Sequence, residues 1–297
     1  MIGLGNTVRH EFERAHGAFP DAELVVLGLG RFGGYSLTHA SDIDIIYLHT
    51  ADRGGASAGP KQLGPNDYFN RLASRVTSAL SVSTAAGPLY DVDVRLRPEG
   101  AKGMLTVSLD AFERYQHREA WTWEHMALCR ARPVFGSPEA RIRSSAIVED
   151  ILQMPRDPQK VVRDAVKMRG EIERHKPARG PLDVKLGPGG LVDLEFATQV
   201  LQLTTHVGLD TRLEVALEAL AGESLVPTNV VEALKLLSRM LVMMRLVAPG
   251  DVKPTGDTWQ LVAEACGAPS WDALLAEHDA ARQSIAELWN RIKEGSR

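Results

Sequence analysis

Cysteine is almost absent from this 297-residue chain. Its two cysteines, Cys129 and Cys266, lie far apart, which excludes a disulfide-stapled scaffold and a cysteine-ligated zinc site and indicates a reducing compartment. A basic excess is lacking too. The 34 Lys and Arg residues against 38 Asp and Glu residues give a formal net charge of −4, which disfavours a nucleic-acid partner.

Long apolar stretches are also missing. The N-terminus has no apolar signal core, and the run 241–248 contains Arg245 and is far shorter than the ~20 residues that span a bilayer. We therefore expect no membrane partner and a cytoplasmic protein. Hydrophobic residues make up 44% and charged residues 24%, as in ordinary soluble proteins. At about 150 residues per domain, the length allows two domains.

Three segments predict β-strands: 24–30, 43–49 and 89–97. In the third, apolar and charged residues alternate strictly, which predicts one core face and one wet face. The core face carries Tyr90, Val92, Val94 and Leu96, and the wet face carries Asp91, Asp93, Arg95 and Arg97.

Most of the remaining sequence predicts helices. After a Gly/Pro-rich loop at 52–66, the stripe Tyr68, Leu72, Val76 and Leu80 predicts a helix that Asn66 could cap. Further helices are expected at 110–132, along the stripe Val161, Ala165, Met168 and Ile172, and then at 191–205, 212–221, 228–248, 257–266 and 270–293. Gly267 occupies a C-cap position.

These patterns predict α/β structure over the first ~110 residues and mostly helices after them, with a hinge near 133–160 or at 180–190.

The segment 28–44, GLGRFGGYSLTHASDID, carries the most chemistry, and its glycines allow two interpretations. A dinucleotide fingerprint needs a helix directly after the glycines and an acid about 20 residues on. Here only residues 35–40 separate the glycines from the segment 41–44, SDID, which leaves about 1.5 turns of helix. The second interpretation fits better: a Gly33–Gly34 turn, a short helix and an Asp-x-Asp strand.

Asp42 and Asp44 are two residues apart on that strand, so their carboxylates point to the same side. Two such carboxylates repel unless a cation lies between them, and Mg²⁺ prefers oxygen ligands. If the strand 89–97 neighbours 43–49, Asp93 reaches the same point. Three carboxylates beside a phosphate-binding turn are typical of two-metal phosphoryl or nucleotidyl transfer. Taken singly, each acid is ordinarily a solvated surface residue.

The motifs GLGRFGG, ASDIDIIYL and YDVDVRLRPEG resemble the nucleotidyltransferase domains of the glutamine synthetase adenylyltransferase/adenylyl-removing enzyme family. The resemblance continues through SLDAFERYQHREAWTWEHMALCRARPV and DVKLGPGGLVDLEF, and it covers roughly 24–205. That family carries two homologous halves. The wording GGLVDLEF resembles the C-terminal, AMP-transferring half. The chain is then either a fragment or a single half without its partner.

The resemblance implies an α+β fold: a nucleotidyltransferase-type small mixed sheet with flanking helices, followed by an all-α helical bundle. It implies a catalytic domain over 1–135, a helical connector over 136–180 and a helical-bundle domain over 181–297, with Mg²⁺ as cofactor and ATP as co-substrate. It makes Asp42, Asp44 and Asp93 the catalytic, metal-binding triad, and Gly33 and Gly34 the phosphate turn, with Ser41 beside the triphosphate. The implied reaction moves AMP from ATP to a tyrosine of glutamine synthetase, with possible control by a trimeric nitrogen-signal protein. Phosphorolytic removal of AMP and a non-catalytic nucleotide sensor are the alternatives.

Several residues keep two interpretations. Arg95 and Arg97 either hold phosphate oxygens or pair with Asp91 and Glu99, and Lys102 is either a phosphate contact or a solvated loop lysine. Trp121 and Trp123 cannot share a helix face, so core packing is expected for at least one. His125 could touch substrate. The GPGG segment after Lys185 is either a nucleotide lid or inter-domain contact, or simply a loop before a helix.

Overall fold

The computed structural model describes residues 1–51, 54–85, 87–88, 90–247 and 254–295. Residues 52–53 of the expected loop, Leu89 at the start of the expected third strand and Ala248 at the end of an expected helix lie outside the described residues. The chain divides into two compact units, Met1–Met154 and Pro155–Arg297. The first combines a small mixed sheet with helices and the second is helical, which confirms the α+β class. The three-part division at 135 and 180 stays a prediction.

The first unit contains six helices, seven short strands and a 3₁₀ turn within the described residues. In chain order these are α1 (Ile2–His16), β1 (Leu24–Gly28), α2 (Gly30–Gly33), β2 (Ile43–His49), α3 (Pro65–Leu80), β3 (Ser83–Thr84), β4 (Gly87–Pro88), β5 (Val92–Asp93), the 3₁₀ turn Gly100–Lys102, β6 (Thr106–Ser108), α4 (Leu109–Arg118), α5 (Thr122–Leu128), β7 (Arg132–Phe135) and α6 (Pro138–Gln153).

Five of these strands form one sheet. Its order is β5-β2-β1-β7, and β6 also pairs with β2. β1 lies antiparallel to β2 and β7, whereas β2 lies parallel to β5 and β6. β1 is buried along its whole length, as a strand in the middle of a covered sheet must be. The remaining two strands, β3 and β4, pair with each other.

Helix α3 covers the core of this unit with its apolar stripe. All four residues of the predicted stripe are buried: Tyr68, Leu72, Val76 and Leu80. The helix begins at Pro65 with Gly64 at the N-cap, and no side chain caps it. The expectation that Asn66 caps this helix is therefore wrong, because Asn66 already lies inside the first turn.

Three sequence expectations about this unit need correction. The strand expected over 89–97 is reduced to Val92–Asp93, although Tyr90, Val92 and Val94 do face the core. The single helix expected over 110–132 is two helices, α4 and α5, followed by strand β7. The short helix expected after the glycines lies instead at Gly30–Gly33.

The second unit contains six helices within the described residues: α7 (Pro158–His175), α8 (Leu191–Thr205), α9 (Leu213–Gly222), α10 (Asn229–Val247), α11 (Thr258–Cys266) and α12 (Trp271–Glu294). The five from α8 onward match the expected ranges to within one residue at each end. Gly267 ends α11 in the left-handed conformation, with φ 88°, as predicted. α8 packs against α7 and α12, and α10 packs against α11 and α12.

The loop that precedes α8 is held by two buried aspartates. Asp193, in the first turn of α8, accepts hydrogen bonds from Arg169 Nε at 2.5 Å and from the Gly189 N–H at 2.6 Å. Asp183 accepts from the backbone N–H groups of Lys185 and Leu186 at 3.0 and 2.9 Å. The segment is thus an anchored loop before a helix. A nucleotide-lid or inter-domain role for it stays a prediction.

Among the described residues, no helix combines the length and the apolar content that a membrane crossing requires.

Candidate active site

The edge of the sheet brings three carboxylates together. β5 pairs with β2 in parallel, and the register sets Asp93 directly opposite Asp44. Asp42 comes immediately before β2, two residues from Asp44. Each of the three aspartates offers a carboxylate oxygen, and these oxygens all lie within 4.8 Å of one another. The convergence that the sequence made conditional on the two strands being neighbours is therefore present.

Exposure within this triad is graded. Asp42 is exposed, whereas Asp44 and Asp93 are partly buried. Three anionic groups at such distances repel one another, and the repulsion is stronger where water is partly excluded. Hard carboxylate oxygens on one side of a sheet are a donor set that suits a hard divalent cation. The residues present therefore fit the metal that the sequence analysis expects.

A glycine makes room for the central carboxylate. Gly30 has a φ of +52°, and a Cβ built on it would overlap the Asp44 carboxylate. The chain is also joined to β2 here by a hydrogen bond from the Leu29 N–H to the Asp44 carbonyl at 2.9 Å. Gly30 belongs to the glycine pattern of 28–33 and to the GLGRFGG motif, neither of which indicated a contact with Asp44. A glycine two residues after the end of the buried strand β1 was the available signal for this close approach.

Gly33 and Gly34, the expected phosphate turn, are both buried. Their N–H groups donate to the carbonyls of Leu29 and Gly30, at 2.8 and 3.1 Å, and so close the short helix α2. A Cβ on Gly33 would overlap the Arg130 carbonyl oxygen. The structure thus shows a packing reason for Gly33, and the phosphate role of both glycines stays a prediction.

Ser41 is buried at the end of the loop that leads into β2. Its hydroxyl oxygen accepts a hydrogen bond from the Thr38 N–H at 3.0 Å and lies 2.9 Å from the Thr38 hydroxyl. These bonds close a turn just before Asp42, so Ser41 fixes the start of the Asp-x-Asp segment. Contact with a triphosphate stays a prediction for this residue.

Arg95 lies against the triad rather than continuing a strand. Its backbone N–H donates to Asp93 Oδ1 at 2.8 Å, its Nε lies 3.0 and 2.9 Å from the two Asp93 oxygens, and its Nη2 donates to Oδ2. Hydrogen bonding to Asp93 and the charge of Asp93 raise the pKa of the Arg95 guanidinium, and Asp44 and Asp42 add smaller contributions. Arg95 therefore pairs with Asp93, not with the expected Asp91 or Glu99.

Arg97 is held in a different way. Its guanidinium donates to the carbonyls of Val94, Gly103 and Ala101, at 2.7, 3.2 and 3.3 Å. Five donors in a fixed fork suit this clamping of a tight loop. Lys102 ends the 3₁₀ turn inside the same loop and is exposed. Phosphate contacts by Arg97 and Lys102 stay predictions.

Trp121, Trp123 and His125 are the aromatic and histidine candidates at α5. Trp121 precedes the helix and is exposed, and Trp123 is partly buried, so neither is a core residue. The packing expected for at least one of them is therefore only partial. His125 is buried, with Nε2 2.9 Å from the Gln116 carbonyl. This contact gives His125 a structural role between α5 and α4.

Two family models match the chain, each over one part. Residues 7–147 match the model described as glutamate-ammonia ligase adenylyltransferase. This match contains Asp42, Asp44 and Asp93. Residues 7–147 carry a domain of the glutamate-ammonia ligase adenylyltransferase family. Residues 165–292, in the second unit, match the model described as GlnD PII-uridylyltransferase.

Curated relatives agree with this assignment to the adenylyltransferase family. The chain is 43% identical over 224 residues to a protein of Brucella suis, and the match covers 75% of this chain and 23% of that protein. It is 40% identical over 293 residues to a protein of Rhizobium meliloti, covering 95% and 30%. It is 36% identical over 305 residues to one of Caulobacter vibrioides, covering 99% and 31%. Each is named bifunctional glutamine synthetase adenylyltransferase/adenylyl-removing enzyme. The chain thus spans less than a third of the length of these relatives, between 23% and 31%.

Proposed function

We propose that this chain is a divalent-metal-dependent catalytic unit that transfers AMP from ATP to a tyrosine of glutamine synthetase and releases pyrophosphate. The β2–β5 register carries the proposal, because it sets Asp93 opposite Asp44 and beside Asp42. The family of residues 7–147 and the names of the relatives support the substrate. The wording GGLVDLEF supports the C-terminal, AMP-transferring type.

The three carboxylates are the proposed ligands of Mg²⁺. When bound, Mg²⁺ supplies positive charge that lowers the pKa of an attacking hydroxyl and stabilises the leaving pyrophosphate. Asp93 ends β5 and is bonded to Arg95. It is our candidate for the group that receives the tyrosine proton. A phenol has a pKa near 10, so lowering that value lessens the need for a strong protein base.

Positively charged residues line the loop that follows Asp93. Arg95, Arg97 and Lys102 are the proposed contacts for the triphosphate, together with Ser41 and the Gly33–Gly34 turn. Charged donors fixed around a phosphate chain contribute through position and charge rather than through covalent chemistry. Control by a trimeric nitrogen-signal protein and a cytoplasmic setting belong to the same proposal.

The direct test is to incubate the chain with α-labelled ATP, Mg²⁺ and unmodified glutamine synthetase. We expect label on a tyrosine. Asp44→Asn should lower the rate at least ~100-fold, because it removes one anionic ligand from the triad. Its free energy of unfolding should not fall, because the change also relieves charge repulsion.

Asp91→Asn is the matched control. Asp91 is an exposed aspartate two residues before Asp93, outside the triad, and should keep wild-type activity. The names of the relatives also include AMP removal. Release of ADP from adenylylated glutamine synthetase on adding phosphate, without forward transfer, would assign the chain to that reaction. Full activity of Asp44→Asn would remove the triad from the mechanism.

A further inference from the structure

Arg95 is an exposed partner of a triad carboxylate: its side chain is 74% exposed, whereas that of Asp93 is 18% exposed. Its guanidinium reaches both carboxylate oxygens of a residue only two positions earlier. This return contact exists because β5 ends at Asp93 and the chain turns at Arg95 instead of continuing as a strand. The guanidinium can leave Asp93 by rotation of the side chain alone, while the backbone N–H of Arg95 still donates to Asp93 Oδ1 at 2.8 Å.

The Arg95 guanidinium acts on all three carboxylates of the triad and not only on Asp93. The oxygens of Asp42, Asp44 and Asp93 lie within 4.8 Å of one another, so a cation on Asp93 also lowers the repulsion from the other two. Both Asp93 oxygens are bonded to Arg95. A divalent ion that uses all three aspartates needs at least one of those oxygens, so the ion and the guanidinium compete for Asp93.

Arg97, on the same loop, is held in a different way from Arg95. It donates only to backbone carbonyls in the hydrogen bonds that the structure shows for it, and these close the loop around it. Arg95 instead binds a carboxylate of the triad and points largely into solvent. Arg95 and Arg97 therefore have different contacts, and Arg95 is placed to leave its partner, Asp93.

We propose that Arg95 is an exchangeable counter-cation of the triad: it holds Asp93 until a divalent ion binds, and it is then released to the phosphate oxygens of the nucleotide. This inference rests on the proposed function, since it takes the triad as the metal site. Arg95 is a positioning residue in the metal-free protein and a nucleotide contact afterwards. Because couplings are reciprocal, the nucleotide should then tighten metal binding by the same factor as the metal tightens nucleotide binding.

The test is a titration of the full chain with Mn²⁺, read by electron paramagnetic resonance, which needs no turnover. Without nucleotide, Arg95→Gln should bind Mn²⁺ roughly two- to five-fold tighter than wild type, as expected when an exposed ion pair no longer competes. Arg95→Lys keeps the positive charge but loses the forked guanidinium, so its Mn²⁺ affinity should lie between those of wild type and Arg95→Gln. Circular dichroism confirms that each variant is folded.

Lys102→Gln is the matched control for charge. It removes one exposed cation from the same loop, and within the part of the chain that the structure describes no carboxylate is bonded to it. Its Mn²⁺ affinity without nucleotide should stay close to that of wild type. In a second titration with a non-hydrolysable ATP analogue present, wild type should bind Mn²⁺ more tightly than without it, and Arg95→Gln should lose most of that gain.

Four results would contradict the proposal in whole or in part. Arg95→Gln binding Mn²⁺ no more tightly than wild type overturns the exchange. Equal tightening in Lys102→Gln also overturns it, because the effect is then one of general charge. If wild type binds no Mn²⁺ at all, the metal site of the proposed function fails, and the exchange fails with it. Mn²⁺ binding with an unchanged nucleotide effect in Arg95→Gln refutes the release step alone.

Discussion

The aspartates compared in the two units have different surroundings: those of the second unit are buried among hydrogen-bond donors, and those of the first unit lie beside one another. In Pro155–Arg297, Asp183 and Asp193 are 3% and 4% exposed, and their oxygens accept from backbone N–H groups and, for Asp193, from buried Arg169. In Met1–Met154, the triad aspartates face one another, and the cation beside Asp93 is largely exposed. Burial with fixed donors makes an anion a structural anchor. Exposure with like-charged neighbours leaves it able to exchange partners.

The largest effect on stability should come from removing the buried anchor. Asp193→Ala leaves Arg169, itself 6% exposed, without the carboxylate that its Nε donates to at 2.5 Å. Stranding a buried charge costs about 3–5 kcal/mol. We expect the loss in urea unfolding, with faster hydrogen exchange over 180–200 than elsewhere in the chain.

Glu171→Ala is the control for this prediction. It removes an exposed partner of Arg174 from the same unit, 2.5 Å away, and exposed pairs contribute about 0–1 kcal/mol. If Asp193→Ala and Glu171→Ala cost the same, burial does not distinguish anchors from surface pairs in this unit, and the contrast with the triad loses its basis.

A second prediction moves to the first unit, where backbone packing beside the triad leaves no room. Gly33→Ala places a methyl group against the carbonyl oxygens of Arg130 and Gly28. Because both obstacles are backbone, neither can rotate away, and overpacking of this kind costs about 1–3 kcal/mol or more. The loss of stability should appear as a lower urea midpoint of unfolding and as faster amide hydrogen exchange in β1 and β7.

Gly54→Ala tests whether any loop glycine of this unit behaves in the same way. Nothing lies within 4 Å of a Cβ at that position. Its unfolding free energy should stay within about 0.5 kcal/mol of wild type, as for an ordinary surface change. A stable, unperturbed Gly33→Ala protein would mean that α2 moves freely, and the packing argument for Gly33 would then be wrong.

Local pattern explains which elements the sequence predicted. β2 has the expected bounds because it is a short continuous apolar run, buried at six of its seven positions. The helices from α8 onward differ from the expected ranges by at most one residue at each end. β7 was missed because Arg132–Phe135 is short, contains a proline, and forms a strand only by pairing with β1 about 100 residues away. The break between α4 and α5, at 119–121, contains no glycine or proline that would have indicated it in the sequence.

As with the fold, local pattern predicted only part of the site. The spacing of Asp42 and Asp44 indicated a shared face, but the position of Asp93 depended on a strand pairing that no local pattern specifies. The structure supplies that pairing. The return of Arg95 onto Asp93 could not be foreseen, because the alternating pattern continued past the point where β5 ends.

The smallest predicted effect compares two helical glycines, one in each unit. Gly170 lies inside α7, and nothing lies within 4 Å of a Cβ at that position, so Gly170→Ala should stabilise by about 0.5–1 kcal/mol through the lower entropy of the unfolded chain. Gly5 lies in α1, where a Cβ would come within 2.6 Å of the Phe135 ring, so Gly5→Ala should destabilise instead. Urea unfolding of both variants gives the two signs. Stabilisation by both would show that Phe135 yields, and that β7 packs against α1 more loosely than the contact implies.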